Sequence, residues 1–372
     1  MRDILVLGGG KIGETICDFL TMTGDYAVTV ADRSQAALDR LPKKPGVQTL
    51  VLDAADVDAM AAAMQGRFAV LSALPYDLTT KVAEAARKAG IHYLDLTEDV
   101  ASTKAVKAFA KDATSAFIPQ CGLAPGFISI VAHDVAQRFD RLDSVGMRVG
   151  ALPLYPSNAL NYNLTWSTEG VINEYLEPCE AIVNGRLASV PPLEEREEFS
   201  LDGVRYEAFN TSGGLGTLCE TLAGKVRVMN YKSVRYPGHR DIMKALLQDL
   251  NLGSRRDMLK EILENAIPAT MQDVILIFVT VSGWKQGRLM QESYANKVYG
   301  REIEGKLYSG IQATTASGVC AVLDLLADGR LPQQGFVRQE DIRLADFLAN
   351  RFGRTFARAE DLAAEAPRLA AE

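Results

Sequence analysis

Short apolar runs recur through the first third of the chain, at Ile4–Leu7, Ala27–Ala31, Val47–Leu52, Ala69–Ala73, Tyr93–Leu96 and Ala116–Ile118. Stretches of helical spacing lie between them, such as Thr80–Ala89 and Thr103–Lys111. Alternation at this spacing predicts a parallel sheet with helices on both faces. After Gly126 the texture changes. A helix is expected over Phe127–Phe139. Longer strand-like segments follow at Ser144–Leu152, Val204–Phe209, Val226–Val234, Asp273–Ser282 and Met290–Val298, with Gly283–Gly287 as a hairpin turn. These no longer alternate with helices, which predicts an α+β unit on a mixed or antiparallel sheet. From Gly310 to Leu326 an apolar helix returns, and the tail reads as helical and charged. The expected fold is α/β: a Rossmann dinucleotide-binding domain (1–124), a substrate-handling α+β domain (125–309), and a helical C-terminal segment (310–372) packing back on the first domain. The charge run Leu193–Glu198 reads as a solvated loop.

The first apolar run leads into Gly8-Gly9-Gly10-Lys11-Ile12-Gly13, which opens a helical stretch, Glu14 to Met22. Asp32 closes the second run, nineteen residues after Gly13. Strand, glycine turn, helix, strand and acid in this order form a dinucleotide-binding half-domain. Gly8 allows the tight turn, Gly10 lets backbone approach a pyrophosphate, and Gly13 lets helix and strand pack closely. The helix start, with Lys11 and Ile12, presents free N–H groups to the phosphates. A carboxylate at Asp32 accepts ribose hydroxyls and repels a 2′-phosphate, so NAD is the expected cofactor; Arg33 beside it is able to receive such a phosphate or to stack on adenine. The remaining strand ends supply Asp53, Ser72-Ala73-Leu74, Asp95 and Cys121-Gly122 as further cofactor-side positions.

Composition narrows the class. The chain has 372 residues, enough for two domains, with a net charge of −7 and no basic stripe, which argues against nucleic acid. No apolar run reaches the ~20 residues of a membrane span. The N-terminus enters the first strand directly, and the five cysteines are scattered without a CxxC or Cys/His cluster. A reduced cytoplasmic protein without metal is expected. A large mixed sheet makes a homodimer the expected assembly.

Three later segments have compositions that packing does not require. Cys121-Gly122-Leu123-Ala124-Pro125-Gly126 forms a tight path at the domain junction, either a hinge or a wall of the cofactor cleft. Asn210-Thr211-Ser212-Gly213-Gly214-Leu215-Gly216-Thr217 offers a nest of N–H groups for a carboxylate, or alternatively an N-capped helix after a flexible loop. Arg235-Tyr236-Pro237-Gly238-His239 concentrates a guanidinium, a phenol and an imidazole. Arg235 can hold a substrate carboxylate bidentately, and His239 can take a proton near neutral pH, unless it merely caps a helix.

These segments, with Tyr206–Leu222, Thr165-Trp166-Ser167 and Glu174-Tyr175, resemble the saccharopine dehydrogenase-like family over nearly the whole chain. The best match is its branch that oxidatively deaminates the ε-amino group of L-lysine. Relatives that form or cleave saccharopine carry an Asp where this chain has Ala124 and a His soon after Gly126; both are absent here. That departure favours a smaller diamino acid. The resemblance implies NAD-dependent oxidation of lysine to the 6-semialdehyde, which cyclises to piperideine-6-carboxylate, with release of ammonia. In that chemistry a base must deprotonate the ε-amine. His239 is the first candidate, with Asp95 or Glu98 second. Arg235, Ser212, Gly213 and Thr217 are candidates for the substrate carboxylate, and Trp166 and Tyr236 for its aliphatic chain. The alternatives are saccharopine dehydrogenase or a related opine or polyamine reductase, and a nucleotide-sensing regulatory module.

Overall fold

The computed structural model describes residues 1–358, 360 and 361. Six strands, β1 (Arg2–Leu7), β2 (Tyr26–Asp32), β3 (Val47–Val51), β4 (Ala69–Ser72), β5 (His92–Asp95) and β6 (Ala116–Ile118), pair in parallel in the order β3-β2-β1-β4-β5-β6. A short strand, Gly335–Phe336, adds beyond β6. Ile4 and Val6 of β1 enter one core while Leu5 and Leu7 enter another. Both faces of the strand are covered, hence its unbroken apolar run. The strand order reverses between β1 and β4, the place where such sheets bind ligands at the carboxyl ends of their strands.

The second sheet is built from β7 (Arg141–Pro153), β8 (Cys179–Val183), β9 (Arg186–Val190), β10 (Glu197–Leu201), β11 (Val204–Asn210), β12 (Val228–Arg235), β13 (Asp273–Lys285) and β14 (Arg288–Tyr299). Its order is β10-β11-β12-β7-β13-β14, with β8 pairing with β12 and β9. Only β12 and β7 run parallel, so the sheet is mixed. The charge run at Leu193–Glu198 is not simply a solvated loop. Glu197 opens β10 and pairs with the buried cations Arg148 and Lys232, which need a counter-charge. Two helices escaped the sequence pattern, Thr168–Leu176 and Arg256–Ala266. The first of them turns out to carry part of the site.

The helix Gly310–Ala327 is long and apolar enough to cross a membrane, but it is 83% buried inside the fold. It packs on helix Lys11–Met22 and on β13 and β14, joining the two halves in one core. A helix buried all round must be apolar all round. Its start is fixed by Asp273, whose carboxylate accepts the N–H groups of Gly310 (2.5 Å) and Ile311 (2.9 Å). Its far end is tied to the first domain by Asp324, which accepts the Tyr26 hydroxyl (2.5 Å) and Arg351 (2.7 Å). Of the expected C-terminal segment, residues 359 and 362–372 lie outside the described residues.

Candidate active site

The glycine turn divides its labour as the spacing predicts. Gly8 has φ +104°, and a Cβ there would lie 2.9 Å from the Ala73 carbonyl oxygen. A Cβ on Gly13 would lie 1.8 Å from the Gly8 carbonyl oxygen, so only glycine lets the helix close on the strand. At Gly10 a Cβ would meet no protein atom within 4 Å. Gly10 is exposed at the start of helix Lys11–Met22, which has no side-chain cap. Free N–H groups beside open space fit a dinucleotide pyrophosphate. Asp32 accepts the N–H of Gly9 (2.7 Å) and of Ser34 (2.8 Å), which pins the end of β2 to the turn. Arg33, Lys11 and Asp53 are exposed, Ile12 and Leu74 half-buried, and Ser72 buried at the end of β4. Cys121 is buried with its thiol turned inward to the Ile118 carbonyl (2.9 Å), so the thiol does not line a cofactor cleft.

In the second half the centre is Arg235, 3% exposed at the end of β12. Its Nε–H donates to the Tyr175 hydroxyl at 3.0 Å, and its guanidinium lies 5.2 Å from the Tyr162 ring centroid. Among the described residues no carboxylate lies within 4.0 Å of it. Burial works to lower its pKa, but the Tyr175 and Tyr162 phenols and Glu174 outweigh that, so it stays charged. The Tyr175 hydroxyl also meets Nε2 of His239 at 3.0 Å, while Nδ1 of His239 meets the Leu160 carbonyl at 2.9 Å. The carbonyl requires a proton on Nδ1, so Nε2 is the acceptor and Tyr175 donates to it. Burial first, and Arg235 second, push the His239 pKa down to about 3.

Two acids complete the arrangement. Glu98 follows β5 in the first domain, and Glu174 sits on helix Thr168–Leu176 in the second. One short loop separates them: the Ser212 N–H donates to the Glu174 backbone carbonyl (3.0 Å), and a Cβ on Gly213 would fall 2.4 Å from the Glu98 carbonyl oxygen. Burial raises the Glu98 carboxyl to about 7, with Asp99 and Asp95 adding to it. Glu174 is raised well above the carboxylate range, by burial and then by Glu98, with Arg235 opposing. Among the described residues neither carboxylate has a side-chain hydrogen bond or an ion pair. Glu174 is buried and Glu98 half-buried; ionisable groups left in such places without partners are costly, which marks them as a candidate site.

Several sequence expectations are corrected here. His239 does not have the environment expected of a neutral-pH base: both ring nitrogens are engaged, and burial suppresses its proton affinity. Asp95 is fully buried and accepts Tyr93 (2.5 Å), the Gln120 N–H (2.7 Å) and the Thr97 N–H (3.0 Å); it splices β5 to the exit of β6. Thr217 points its hydroxyl at the buried Glu340 carboxylate (2.9 Å), so it serves packing of the C-terminal segment and not a substrate. Tyr236 turns away from Arg235, bonds the Pro153 carbonyl (2.9 Å) and stacks on Tyr206. The helix start at His239 is closed by Glu207, which accepts the Gly238 and Arg240 N–H groups at 3.2 and 2.7 Å. Trp166 is half-buried over Gly170, in the same segment as Tyr162. Glu98, Arg235, Ser212 and Gly213 do come together. Glu174, Tyr175 and Tyr162 were missed as site residues. Glu174-Tyr175 enters only through the resemblance; a buried acid on helix Thr168–Leu176 is the physical clue to a role in the site.

A Rossmann domain joined to a mixed-sheet domain, with unpaired charges gathered where they meet, defines a two-domain pyridine-nucleotide-binding protein. Residues 4–118 match the saccharopine dehydrogenase NADP-binding domain and residues 122–353 the saccharopine dehydrogenase C-terminal domain. The chain belongs to the saccharopine dehydrogenase family. The mitochondrial alpha-aminoadipic semialdehyde synthase of Bos taurus is 23% identical over 356 residues, covering 89% of this chain and 36% of the bovine protein. The NADP-dependent, L-glutamate-forming saccharopine dehydrogenase of Saccharomyces cerevisiae is 23% identical over 278 residues, 72% of this chain and 61% of the yeast protein. The chain thus spans about a third to three fifths of these relatives. The apo structure of L-Glu-forming saccharopine dehydrogenase from Saccharomyces cerevisiae superposes with a TM-score of 0.75 at 18% identity, covering 91% of this chain and 94% of that one. That likeness is one of fold.

Proposed function

We propose that this protein is an NAD-dependent dehydrogenase that oxidatively deaminates the ε-amino group of L-lysine to the 6-semialdehyde and ammonia. The observation that carries the reading is the set of charges left unpaired: one guanidinium, Arg235, and two carboxyls, Glu98 and Glu174. Lysine is their complement, with one carboxylate and two ammonium groups. Arg235 takes the carboxylate as a fork. Glu174, neutral in the empty site because burial and Glu98 raise its carboxyl, ionises when the α-ammonium comes to lie beside it and holds that group. Glu98 stands on the cofactor domain, at the strand ends where the dinucleotide belongs, and takes the ε-ammonium.

Gly8, Gly10, Gly13 and Asp32 would hold the dinucleotide, and the carboxylate of Asp32 favours NAD. When bound, its nicotinamide supplies the acceptor for a hydride from Cε. Glu98, poised near pH 7, removes the proton of the ε-ammonium, since a nitrogen without a lone pair cannot release a hydride from its carbon. Hydride loss leaves an iminium; once Glu98 has released its proton to solvent, the same carboxylate serves as base for the water that attacks the iminium carbon, and ammonia leaves. Tyr175 and His239 keep Arg235 in register.

A second reading, a saccharopine-cleaving enzyme, draws support from the names of the relatives and from one feature. A cavity of about 690 Å³ lies between Tyr76 of the first domain and residues 253–258, with Arg255 and Arg256 on its wall. Arg256 is tied to Glu177 (2.6 Å) and Asn173 (3.1 Å), so a substrate with more carboxylates would use Arg255 there. NADH formation from lysine, ornithine, saccharopine and polyamines decides between them: turnover of saccharopine but not lysine would reject the lysine reading.

A further inference from the structure

The segment between β7 and helix Thr168–Leu176 is firmly held. The Leu160 carbonyl binds His239 (2.9 Å), the Asn158 amide donates to the Tyr162 carbonyl (2.6 Å), and the Leu164 N–H donates to the Pro268 carbonyl (3.1 Å). Yet two hydroxyls inside this fixed segment, Tyr162 Oη and Thr165 Oγ1, are buried with no well-formed hydrogen bond; Tyr162 is approached only by Thr165 itself and by Trp166. Tyr162 is 3% exposed, and its ring lies 5.2 Å from the Arg235 guanidinium carbon and 5.2 Å from the His239 ring. A buried hydroxyl without a partner is costly, and a segment this well anchored cannot relax to supply one.

We infer that Tyr162 and Thr165 form, with Arg235, a three-sided pocket for the substrate carboxylate, and that these two hydroxyls select amino acids over plain amines. The inference rests on the assignment of Arg235 to the carboxylate. A carboxylate offers about four lone-pair sites. A guanidinium fork uses two and leaves two for hydroxyl donors. Burial raises the Tyr162 phenol, so it remains a protonated donor throughout the working pH range. Glu174 acts on it through space but makes no hydrogen bond to it, so the missing acceptor is supplied by the ligand.

The test uses Trp166 as reporter. It lies in the same segment, and the only other tryptophan is Trp284. In a Trp284→Phe background, lysine, 6-aminohexanoate and cadaverine are titrated by fluorescence into the protein carrying Tyr162→Phe or Thr165→Val. Lysine and 6-aminohexanoate, which keep the carboxylate, should each bind about tenfold more weakly to the Tyr162→Phe variant, in line with one lost hydrogen bond to a charged group. Cadaverine, which lacks the carboxylate, should be unaffected. Tyr162→Phe removes a hydroxyl that makes no well-formed hydrogen bond, so its melting temperature should change little. A carboxylate-to-diamine affinity ratio that stays within about twofold in both variants overturns the proposal. If the unmodified protein binds saccharopine but not lysine, the lysine reading fails, and the same ratio measured with saccharopine still decides the role of the two hydroxyls.

Discussion

The Tyr175 hydroxyl donates to Nε2 of His239 at 3.0 Å while receiving the Nε–H of Arg235, also at 3.0 Å. One phenol therefore orders the guanidinium proposed to hold the substrate and the ring that holds the neighbouring segment through Leu160. This turns an imidazole that looks catalytic in the sequence into a spacer.

His239→Ala should accordingly lower kcat/KM while leaving the acidic limb of the pH–rate profile near 7 in place. The loss should be up to about 10²-fold, as expected when a site group is misplaced by about 1 Å. Disappearance of the limb near 7 would restore His239 as the base. Stability gives a second readout. The unfolded imidazole takes a proton below about 6.5, but the folded one only at about 3. The unfolded state binds more protons in that window, so stability falls as pH drops from 6.5 towards 3. Thermal melts of His239→Gln should show a weaker acid dependence between pH 7 and pH 5 than the unmodified protein.

Glu98→Gln should remove most activity, about 10²–10⁴-fold in kcat, the usual loss of a general base. It should also stabilise the ligand-free protein. The Glu98 carboxyl stands at about 7 when folded, against an ordinary 4.5, so the folded state binds more protons between those values and loses stability as pH rises through them. At pH 8 the variant escapes this penalty, on the order of 3 kcal/mol. A variant that melts no higher than the unmodified protein at pH 8, or that keeps kcat within threefold, removes Glu98 from the role of base.

The glycine turn separates binding from folding. Gly10→Val places its side chain in open space, so the fold should survive while titration with NADH shows no binding. Gly13→Val drives a side chain into the Gly8 carbonyl and should destabilise the domain itself. Equal melting temperatures for the two variants would contradict this division.

Cofactor choice rests on Asp32. Asp32→Ala should weaken NAD and shift preference towards NADP through the exposed Arg33. The variant also releases Gly9 and Ser34 from their hydrogen bonds, so some loss for both cofactors is expected. The decisive quantity is the ratio of the two dissociation constants; an unmodified protein that prefers NADP would refute the assignment.

What the chain determined by itself is whatever local chemistry decides. Strand β1 had to be apolar throughout because both of its faces are covered, and Gly8, Gly10 and Gly13 had to be glycines because turn, ligand approach and helix packing lie within six residues of each other. The domain order and the mixed second sheet followed from the same periodicities. The site did not. Glu98, Glu174 and Arg235 lie far apart along the chain; Arg235 and Glu98 stand out as candidates one by one, Glu174 only within the resemblance, and nothing local brings the three together. The grouping Arg235-Tyr236-His239 suggested one site, yet Tyr236 turns to the other side and bonds Pro153. Burial then shifted proton affinities in opposite directions, downward for the imidazole of His239 and upward for the carboxyl of Glu98, because desolvation disfavours whichever form carries the charge. Only the tertiary packing fixes which groups lose water and which keep a partner, and that decides which of the charged residues are left for a substrate.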